Sequence, residues 1–168
     1  MVWTSKESET MSNKIPRVPV REQDPIIRAT NFEEVCYGYN REEALLEASR
    51  CLNCKKPRCV AACPVSIKIP DFIKALQEEG EAAAAAVIAE DSSLPSICGR
   101  VCPQENQCEG ACVLGIKGEA VAIGKLERYV GDWALDNVVA DEVTPNPEAP
   151  KVAVVGSGPA GLACAADL

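Results

Sequence analysis

The sequence predicts a mainly α-helical, cysteine-rich domain followed by the first strand and helix of a truncated α/β domain. Three observations indicate this fold class. Apolar residues recur at helical spacing over 121–138, and eight of the ten Cys form two compact groups within the helical part. A β-branched run at 151–155 then leads into a glycine-rich turn, after a proline-rich stretch that places a boundary near residue 145.

The first part of the chain is predicted to contain an arm and a capped helix. Residues 1–24 show no apolar periodicity, which favours an extended arm. A helix is expected over 40–50, because Asn40 can cap its N-terminus and Glu43 occupies the reciprocal capping-box position. The inward stripe of this helix is predicted to be Leu45, Leu46 and Ser49.

Three more helices follow from composition and spacing. One is expected from Pro70 to Glu79, with Gly80 as the stop and an apolar face of Phe72, Ile73 and Leu76. The Ala-rich run over 81–90 favours a second helix, which the segment 91–95 interrupts. A third is expected roughly over 121–138, with a buried stripe of Ile123, Leu126, Val130 and Trp133.

The C-terminal pattern is typical of a dinucleotide-binding turn. A predicted strand at 151–155 precedes the G-x-G-x-x-G motif of Gly156, Gly158 and Gly161, which opens a helix. The acidic ribose ligand of such a domain is expected about twenty residues further on. We therefore expect the front of a longer polypeptide, the alternative being a complete short protein with a vestigial motif. The predicted divisions are an arm (1–24), a helical domain (25–139), a linker (140–150) and the start of a FAD/NAD(P)-binding domain (151–168).

Composition excludes several functional classes. The formal net charge is −8, which disfavours nucleic-acid binding. The longest apolar run, at 82–89, is too short to span a membrane. Residues 1–10 contain no secretory h-region, so a cytoplasmic location is expected. The sequence has no His, which excludes a histidine-based catalytic triad and histidine metal ligands.

The two cysteine groups predict two four-ligand metal centres. The first is C-x2-C-x4-C-x3-C-P (Cys51, Cys54, Cys59, Cys63), and the second is C-x3-C-x5-C-x3-C (Cys98, Cys102, Cys108, Cys112). Three close Cys with a distant fourth are typical of [4Fe–4S] sites, so the first three share a cluster with one Cys of the second group. Cys63 then shares the second cluster with the remaining cysteines of the second group, which include Cys98. Disulfides are disfavoured by a reducing compartment, and zinc by the scarcity of paired C-x2-C knuckles.

Two further cysteines and three cations are not assigned as cluster ligands. Cys36 and Cys164 are isolated in the sequence and are expected to be packed thiols. Lys55, Lys56 and Arg58 lie inside the first cysteine group. They either favour thiolate and raise the cluster potential, or form a solvated basic loop.

Three segments resemble a known family. They are Cys51–Pro64, Ile97–Glu105 with Cys108–Cys112, and Ala122–Tyr129. Together they resemble the small (β) subunit of NADPH-dependent glutamate synthase, and the N-terminal domain of dihydropyrimidine dehydrogenase is similar. The resemblance covers roughly residues 15–168 and implies an α-helical ferredoxin-like domain with two [4Fe–4S] clusters, followed by FAD- and NADPH-binding domains.

The resemblance also implies the ligands of both clusters. It assigns one cluster to Cys51, Cys54, Cys59 and Cys112, and the other to Cys63, Cys102, Cys108 and Glu127. Glu127 thus replaces the Cys98 of the spacing argument, and spacing cannot choose between them. An ordinary exposed helix position is the alternative interpretation of Glu127.

The function implied by the resemblance is electron transfer within an NAD(P)H-dependent flavin and iron–sulfur oxidoreductase of glutamate biosynthesis. The partner would be the large glutamate synthase subunit, and the fragment alone is not expected to be catalytic. Alternatives are the large subunit of an NADH-dependent ferredoxin:NADP oxidoreductase or sulfide dehydrogenase, with a small flavoprotein partner, or a stand-alone electron carrier. Because bound clusters would add negative charge, a partner docking near them is expected to present a basic or neutral face.

Overall fold

The computed structural model describes residues 15–138, 144 and 146–168, which are mainly helical. Two short 3-10 helices, Gln104–Asn106 and Val113–Ile116, precede the longest helix. No helix among the described residues has the length and apolar character needed to cross a membrane. The other elements, in chain order, are β1 (Arg21–Glu22), α1 (Pro25–Arg28), β2 (Cys36–Gly38), α2 (Arg41–Ala48), α3 (Arg58–Ala61), α4 (Ile69–Glu78), α5 (Glu81–Ala89), α6 (Pro95–Val101), α7 (Ile123–Asn137) and α8 (Pro159–Asp167).

The four helices predicted within the helical domain are all present. α2 carries the predicted capping box: Glu43 N donates to Asn40 Oδ1 at 2.8 Å, and Asn40 N donates to Glu43 Oε2 at 2.7 Å. α4 ends before Gly80, whose φ of +98° lies in the left-handed region that glycine adopts most easily. The short helices α1, α3 and α6 carry too little periodicity to be predicted from the sequence.

The helix α7 is the central element of the helical domain. It packs against α6, α5, α2 and β2. Ile123, Leu126 and Val130 of its predicted stripe are buried, whereas Trp133 is only half-buried near the helix end. The predicted face of α4 is also buried and, with Ile88 of α5, completes the centre of the core (Phe72, Ile73, Leu76).

Two glycines allow α6 and α7 to approach closely. A Cβ added at Gly99 would lie 2.6 Å from the backbone nitrogen of Arg128. A Cβ added at Gly131 would lie 2.6 Å from the backbone nitrogen of Ser96. Real side chains do not tolerate such distances, so the two backbones meet only because both positions lack a Cβ.

The predicted inner stripe of α2 is wrong. Leu46 and Ser49 are exposed, and Leu45 is half-buried. The buried face instead consists of Ala44, Glu47 and Ala48. The small alanines let α2 approach its neighbours, and the buried carboxylate of Glu47 is held by partners that helical periodicity does not reveal.

A buried ion pair lies at the end of α2. Arg50 Nη1 donates to Glu47 Oε1 at 2.6 Å, and both side chains are almost fully buried. Glu47 also accepts from the backbone nitrogens of Val18 and Ala122, at 2.7 and 2.8 Å. Arg50 also donates to the carbonyls of Ile15, Glu119 and Ala120. The pair therefore joins the N-terminal segment, α2 and the start of α7.

The described part of the predicted arm, residues 15–24, lies against the helical domain. Val18 is buried, and its carbonyl accepts from the Tyr39 hydroxyl at 2.6 Å. Within this segment β1 pairs antiparallel with β2. The rest of the arm, 1–14, lies outside the described residues.

The strand predicted at 151–155 is not formed. A strand is defined by pairing, and no other strand of the described residues pairs with this segment. The helix expected after the glycine turn is present as α8. Within the predicted linker at 140–150, residues 140–143 and 145 lie outside the described residues.

Replacing Glu47 tests the buried ion pair. We expect Glu47→Ala to lower the free energy of unfolding by about 3–5 kcal/mol, because it leaves a buried guanidinium without its carboxylate. The measurement is the thermal unfolding midpoint by circular dichroism under anaerobic conditions. Glu42→Ala on the exposed face of the same helix is the control and should cost at most about 1 kcal/mol. Equal losses in the two variants would contradict this account.

Candidate metal centre

Four predicted ligands lie around one cavity, and we call them the first thiol group: Cys51, Cys54, Cys59 and Cys112. Cys51 follows α2, and its backbone nitrogen bonds to the Ala48 carbonyl at 3.0 Å. Cys59 is the second residue of α3, and Cys112 precedes a 3-10 helix. The remaining lining is largely apolar (Leu52, Pro57, Arg58, Ile69, Pro70, Ile73, Ala111, Val113, Leu114, Val121, Ile123).

The thiols of this group influence one another electrostatically. Burial raises the pKa of Cys51 to about 11, and the thiols of Cys59, Cys54 and Cys112 contribute in the same direction. Burial also raises the pKa of Cys59, with Cys112 and Cys54 adding to it. Cys112, from the second sequence group, therefore lies beside the first three cysteines. Burial, rather than the nearby Lys and Arg, dominates the pKa of Cys51 and Cys59.

A second set of predicted ligands forms around α6 and α7, and we call it the second group: Cys63, Cys102, Cys108 and Glu127. Cys63 follows α3, and Cys102 caps the C-terminus of α6. Burial raises the pKa of Cys108 to about 12, with Glu109, Cys63 and Glu127 contributing. Burial raises the pKa of Cys102 to about 11, with contributions from Cys98, Glu127 and Cys63. Cys63, from the first sequence group, thus lies with cysteines of the second.

Glu127 is a buried carboxylate without a local partner. Its relative exposure is 6%, which excludes an ordinary exposed helix position. Among the described residues, Glu127 Oε1 has no hydrogen-bond partner. Burial raises the pKa of this carboxyl to about 7. Because an unpaired buried carboxylate is costly, this oxygen is well suited to bind a cation or a metal cluster.

Cys98 also lies beside the second group. Its thiol contributes to the raised pKa of Cys102, and the residue is half-buried. Glu127, by contrast, raises the pKa of both Cys102 and Cys108. The structure thus brings both candidates for the eighth ligand near the group, with Glu127 adjacent to more of its members.

The donor sets fit [4Fe–4S] clusters. No three or more Cys, Asp or Glu within residues 15–138, 144 and 146–168 form a site for a single metal ion. A cube, by contrast, takes one thiolate at each of its four irons. The first thiol group supplies four thiols, and the second group supplies three thiols and a carboxylate. Binding requires deprotonated thiols, so the raised thiol pKa values link cluster binding to proton release.

Glu109 supports the second group, a role that the sequence analysis did not predict. Its side chain is buried, and Oε2 accepts from Arg17 Nη2 at 2.7 Å. Its Oε1 accepts from the backbone nitrogen of Gly124 at 3.1 Å, in the first turn of α7. Glu109 therefore connects the Cys108 turn to the helix that carries Glu127. Only its position next to Cys108 could have suggested a role.

The two remaining cysteines lie apart from both groups. Cys36 is half-buried in β2, and Cys164 is exposed on α8. Neither lines the cavity of the first thiol group. The expectation that Cys164 is packed is therefore wrong, because the described residues leave α8 largely uncovered.

The glycine turn has the backbone that a dinucleotide motif requires. Gly156 has a φ of +108°, which lies in the left-handed region. No atom lies within 4 Å of a Cβ built at Gly156 or Gly158, so the backbone there is open to a ligand. A Cβ at Gly161 would collide with the Gly156 carbonyl oxygen. The residues present therefore fit a pyrophosphate placed at the start of α8.

Comparison with known protein families identifies the helical domain. Residues 28–139 match the family described as dihydropyrimidine dehydrogenase domain II, 4Fe-4S cluster. The chain belongs to this family. The match contains both cysteine groups and Glu127, and it confirms the iron–sulfur character predicted from the cysteine spacing.

Relatives of known name match most of the chain. The chain is 46% identical over 140 residues to UacF of Escherichia coli (strain K12), provisionally named an oxidoreductase; this covers 82% of the chain and 22% of UacF. It is 38% identical over 151 residues to the glutamate synthase [NADPH] small chain of the same organism, covering 89% and 31%. The corresponding protein of Azospirillum brasilense is 41% identical over 143 residues, covering 84% and 30%.

These relatives confirm the resemblance to the glutamate synthase small subunit. The chain spans about a fifth to a third of the length of these three relatives. The relatives are named as oxidoreductases or glutamate synthases, and this member of the family carries the same iron–sulfur domain.

Proposed function

We propose that this chain is the N-terminal electron-transfer part of an NADPH-dependent glutamate synthase small subunit. The observation that carries the proposal is the division of the predicted ligands into two interleaved sets within one helical domain. When bound, [4Fe–4S] clusters accept and release single electrons. Two such sites in one small domain suit a relay between a flavin and a partner subunit.

The chain's own residues would hold and shield the clusters. In this proposal the first thiol group holds one cluster, and its apolar surroundings restrict access of water. The second group holds the other cluster with Glu127 as its oxygen ligand, which would satisfy the unpartnered Oε1. Glu109 would fix the Cys108 turn against α7 through its bond to Gly124.

The glycine turn supports a role for FAD. We propose that Gly156, Gly158 and Gly161 hold the pyrophosphate of FAD in a longer polypeptide that also binds NADPH. Electrons would pass from NADPH through FAD and the clusters to the large glutamate synthase subunit. The 168 residues alone would not be catalytic. A cytoplasmic location is proposed because free thiols and iron–sulfur clusters suit a reducing compartment.

A second candidate function is favoured by the description of the matched family, which names dihydropyrimidine dehydrogenase. In that case the same relay would serve reduction of a pyrimidine. A ferredoxin:NADP oxidoreductase with a small flavoprotein partner, and a stand-alone carrier, use the same domain chemistry.

Ligand substitutions test the assignment of the second cluster. Iron and acid-labile sulfide are measured in the anaerobically purified chain, together with the electron paramagnetic resonance spectrum after reduction. We expect Glu127→Ala to lose about half of the iron and the signal of one cluster, because one of two cubes loses a ligand. Cys98→Ser is the matched control and should retain both clusters. Loss of a cluster in Cys98→Ser alone would overturn the Glu127 assignment.

Removal of iron should change which thiols react. With clusters bound, labelling by a maleimide should be confined to Cys36, Cys98 and Cys164, with Cys164 fastest because it is exposed. After treatment with an iron chelator and an oxidant, followed by reduction with dithiothreitol and its removal, the seven predicted cysteine ligands should also react (Cys51, Cys54, Cys59, Cys63, Cys102, Cys108, Cys112). Mass spectrometry of tryptic peptides measures both states. An unchanged labelling pattern would contradict cluster binding.

Reduction by NADPH tests the proposed relay. In the full-length, flavin-containing protein, NADPH should bleach the visible absorbance of the clusters, whereas the 168 residues alone should respond to dithionite only. Addition of the large glutamate synthase subunit with glutamine and 2-oxoglutarate should then start NADPH oxidation. NADPH oxidation that instead requires a pyrimidine would establish the second candidate.

A further inference from the structure

Three cations lie in the loop between two predicted ligands of the first cluster. Lys55, Lys56 and Arg58 fall between Cys54 and Cys59, and all three are exposed. The loop is held by structure at both ends, since Cys51 is anchored to α2 and Arg58 begins α3. The three positive charges are therefore presented from a defined position.

None of these three cations has a carboxylate partner among the described residues. Arg58 is the exception among the eight arginines of the described residues. The other seven each form an ion pair (Arg17, Arg21, Arg28, Arg41, Arg50, Arg100, Arg128). Lys55 and Lys56 also form no ion pair with any described residue. In a chain of net charge −8, three adjacent unpaired cations make a local region of opposite sign.

This basic loop (Lys55, Lys56 and Arg58) lies beside the first thiol group. Arg58 lines the same cavity as Cys54, Cys59 and Cys112. The neighbouring lining at Pro57 and Val113 is apolar. The surface next to the first cluster site is therefore an apolar patch with a positive rim, which is the usual character of a docking site for a charged protein partner.

We propose that the basic loop is the docking surface for an acidic face of the electron-transfer partner, and that one electron passes there between the first cluster and that partner. This proposal rests on the proposed function, because it requires a cluster in the first thiol group. The net charge of the chain led us to expect a partner with a basic or neutral face. At the basic loop we instead expect the partner's face to be acidic. Unpaired cations raise the local concentration of an anionic partner and orient it, at little cost in stability.

Small redox probes of opposite charge test the electrostatic potential at the basic loop. The reduced, cluster-loaded chain is oxidised by ferricyanide, an anion, or by hexaamminecobalt(III), a cation, in a stopped-flow spectrometer at low ionic strength. In each reaction the cluster loses one electron and the metal complex gains it. The test variant is Lys55→Gln/Lys56→Gln/Arg58→Gln. The control is Arg21→Gln/Arg28→Gln/Arg41→Gln, which removes the same charge from exposed positions elsewhere.

We expect the test variant to react at least about fivefold more slowly with ferricyanide and faster with the cobalt complex, and the control to change little. An excess of a ten-residue Glu peptide should slow ferricyanide oxidation of the unmodified chain but not of the test variant, whereas a Gln peptide should have no effect. Equal changes in both variants would show a net-charge effect and overturn the proposal.

Iron content and the resonance spectrum separate this proposal from the proposed function. Absence of clusters from the unmodified chain would refute both. Intact clusters with unchanged rates would refute the docking surface alone. If the test variant loses its clusters, the charge-conserving Lys55→Arg/Lys56→Arg/Arg58→Lys variant decides, and it should retain the rates of the unmodified chain. Binding of phosphatidylglycerol vesicles or duplex DNA in 150 mM salt, lost in the test variant, would assign the loop to that polyanion and overturn the proposal.

Discussion

The N-terminus of α7 has no capping side chain of its own, and two distant carboxylates take that role. Glu47 of α2 accepts from Ala122 N, and Glu109 of the cysteine turn accepts from Gly124 N. Each carboxylate is paired with an arginine, Arg50 or Arg17. Because free amide groups at a helix start favour negative charge, these bonds fix α7 in place. This arrangement fixes the position of Glu127 on α7 and of the α7 surface that packs against α6. It also attaches the N-terminal segment to the helical domain.

The same arrangement helps to place Cys112 beside the first cysteine group. Cys112 precedes the segment that leads into α7 and Cys51 follows α2, so fixing α7 against α2 brings these two segments together. In the proposed holo-protein, each cluster would cross-link segments distant in sequence, which would add to a core that is rich in alanine. Burial of these ligands disfavours their charged thiolate form, and it therefore raises the pKa of the thiols.

Prediction from sequence succeeded where the signal was local. The capping box of Asn40 and Glu43 depends on residues three apart, and the helix-starting glycine turn depends on six consecutive residues. It failed for the inward face of α2, where Leu46 is exposed and Glu47 is buried. Hydrophobicity favours the leucine for the core, but the partners of Glu47 come from residues 29 and 75 positions away. The strand expected at 151–155 failed for a related reason, since a strand requires a partner.

The sequence by itself determined the chemistry of this protein: the number and spacing of thiols, the absence of His, the helical class and the family. Those properties depend on residue type and short separations, which can be read along the chain. The tertiary structure alone decided that Glu127 is buried with a free oxygen, and that Lys55, Lys56 and Arg58 remain unpaired. These depend on contacts between distant segments, because burial and charge pairing are properties of the packed chain rather than of any one stretch of it.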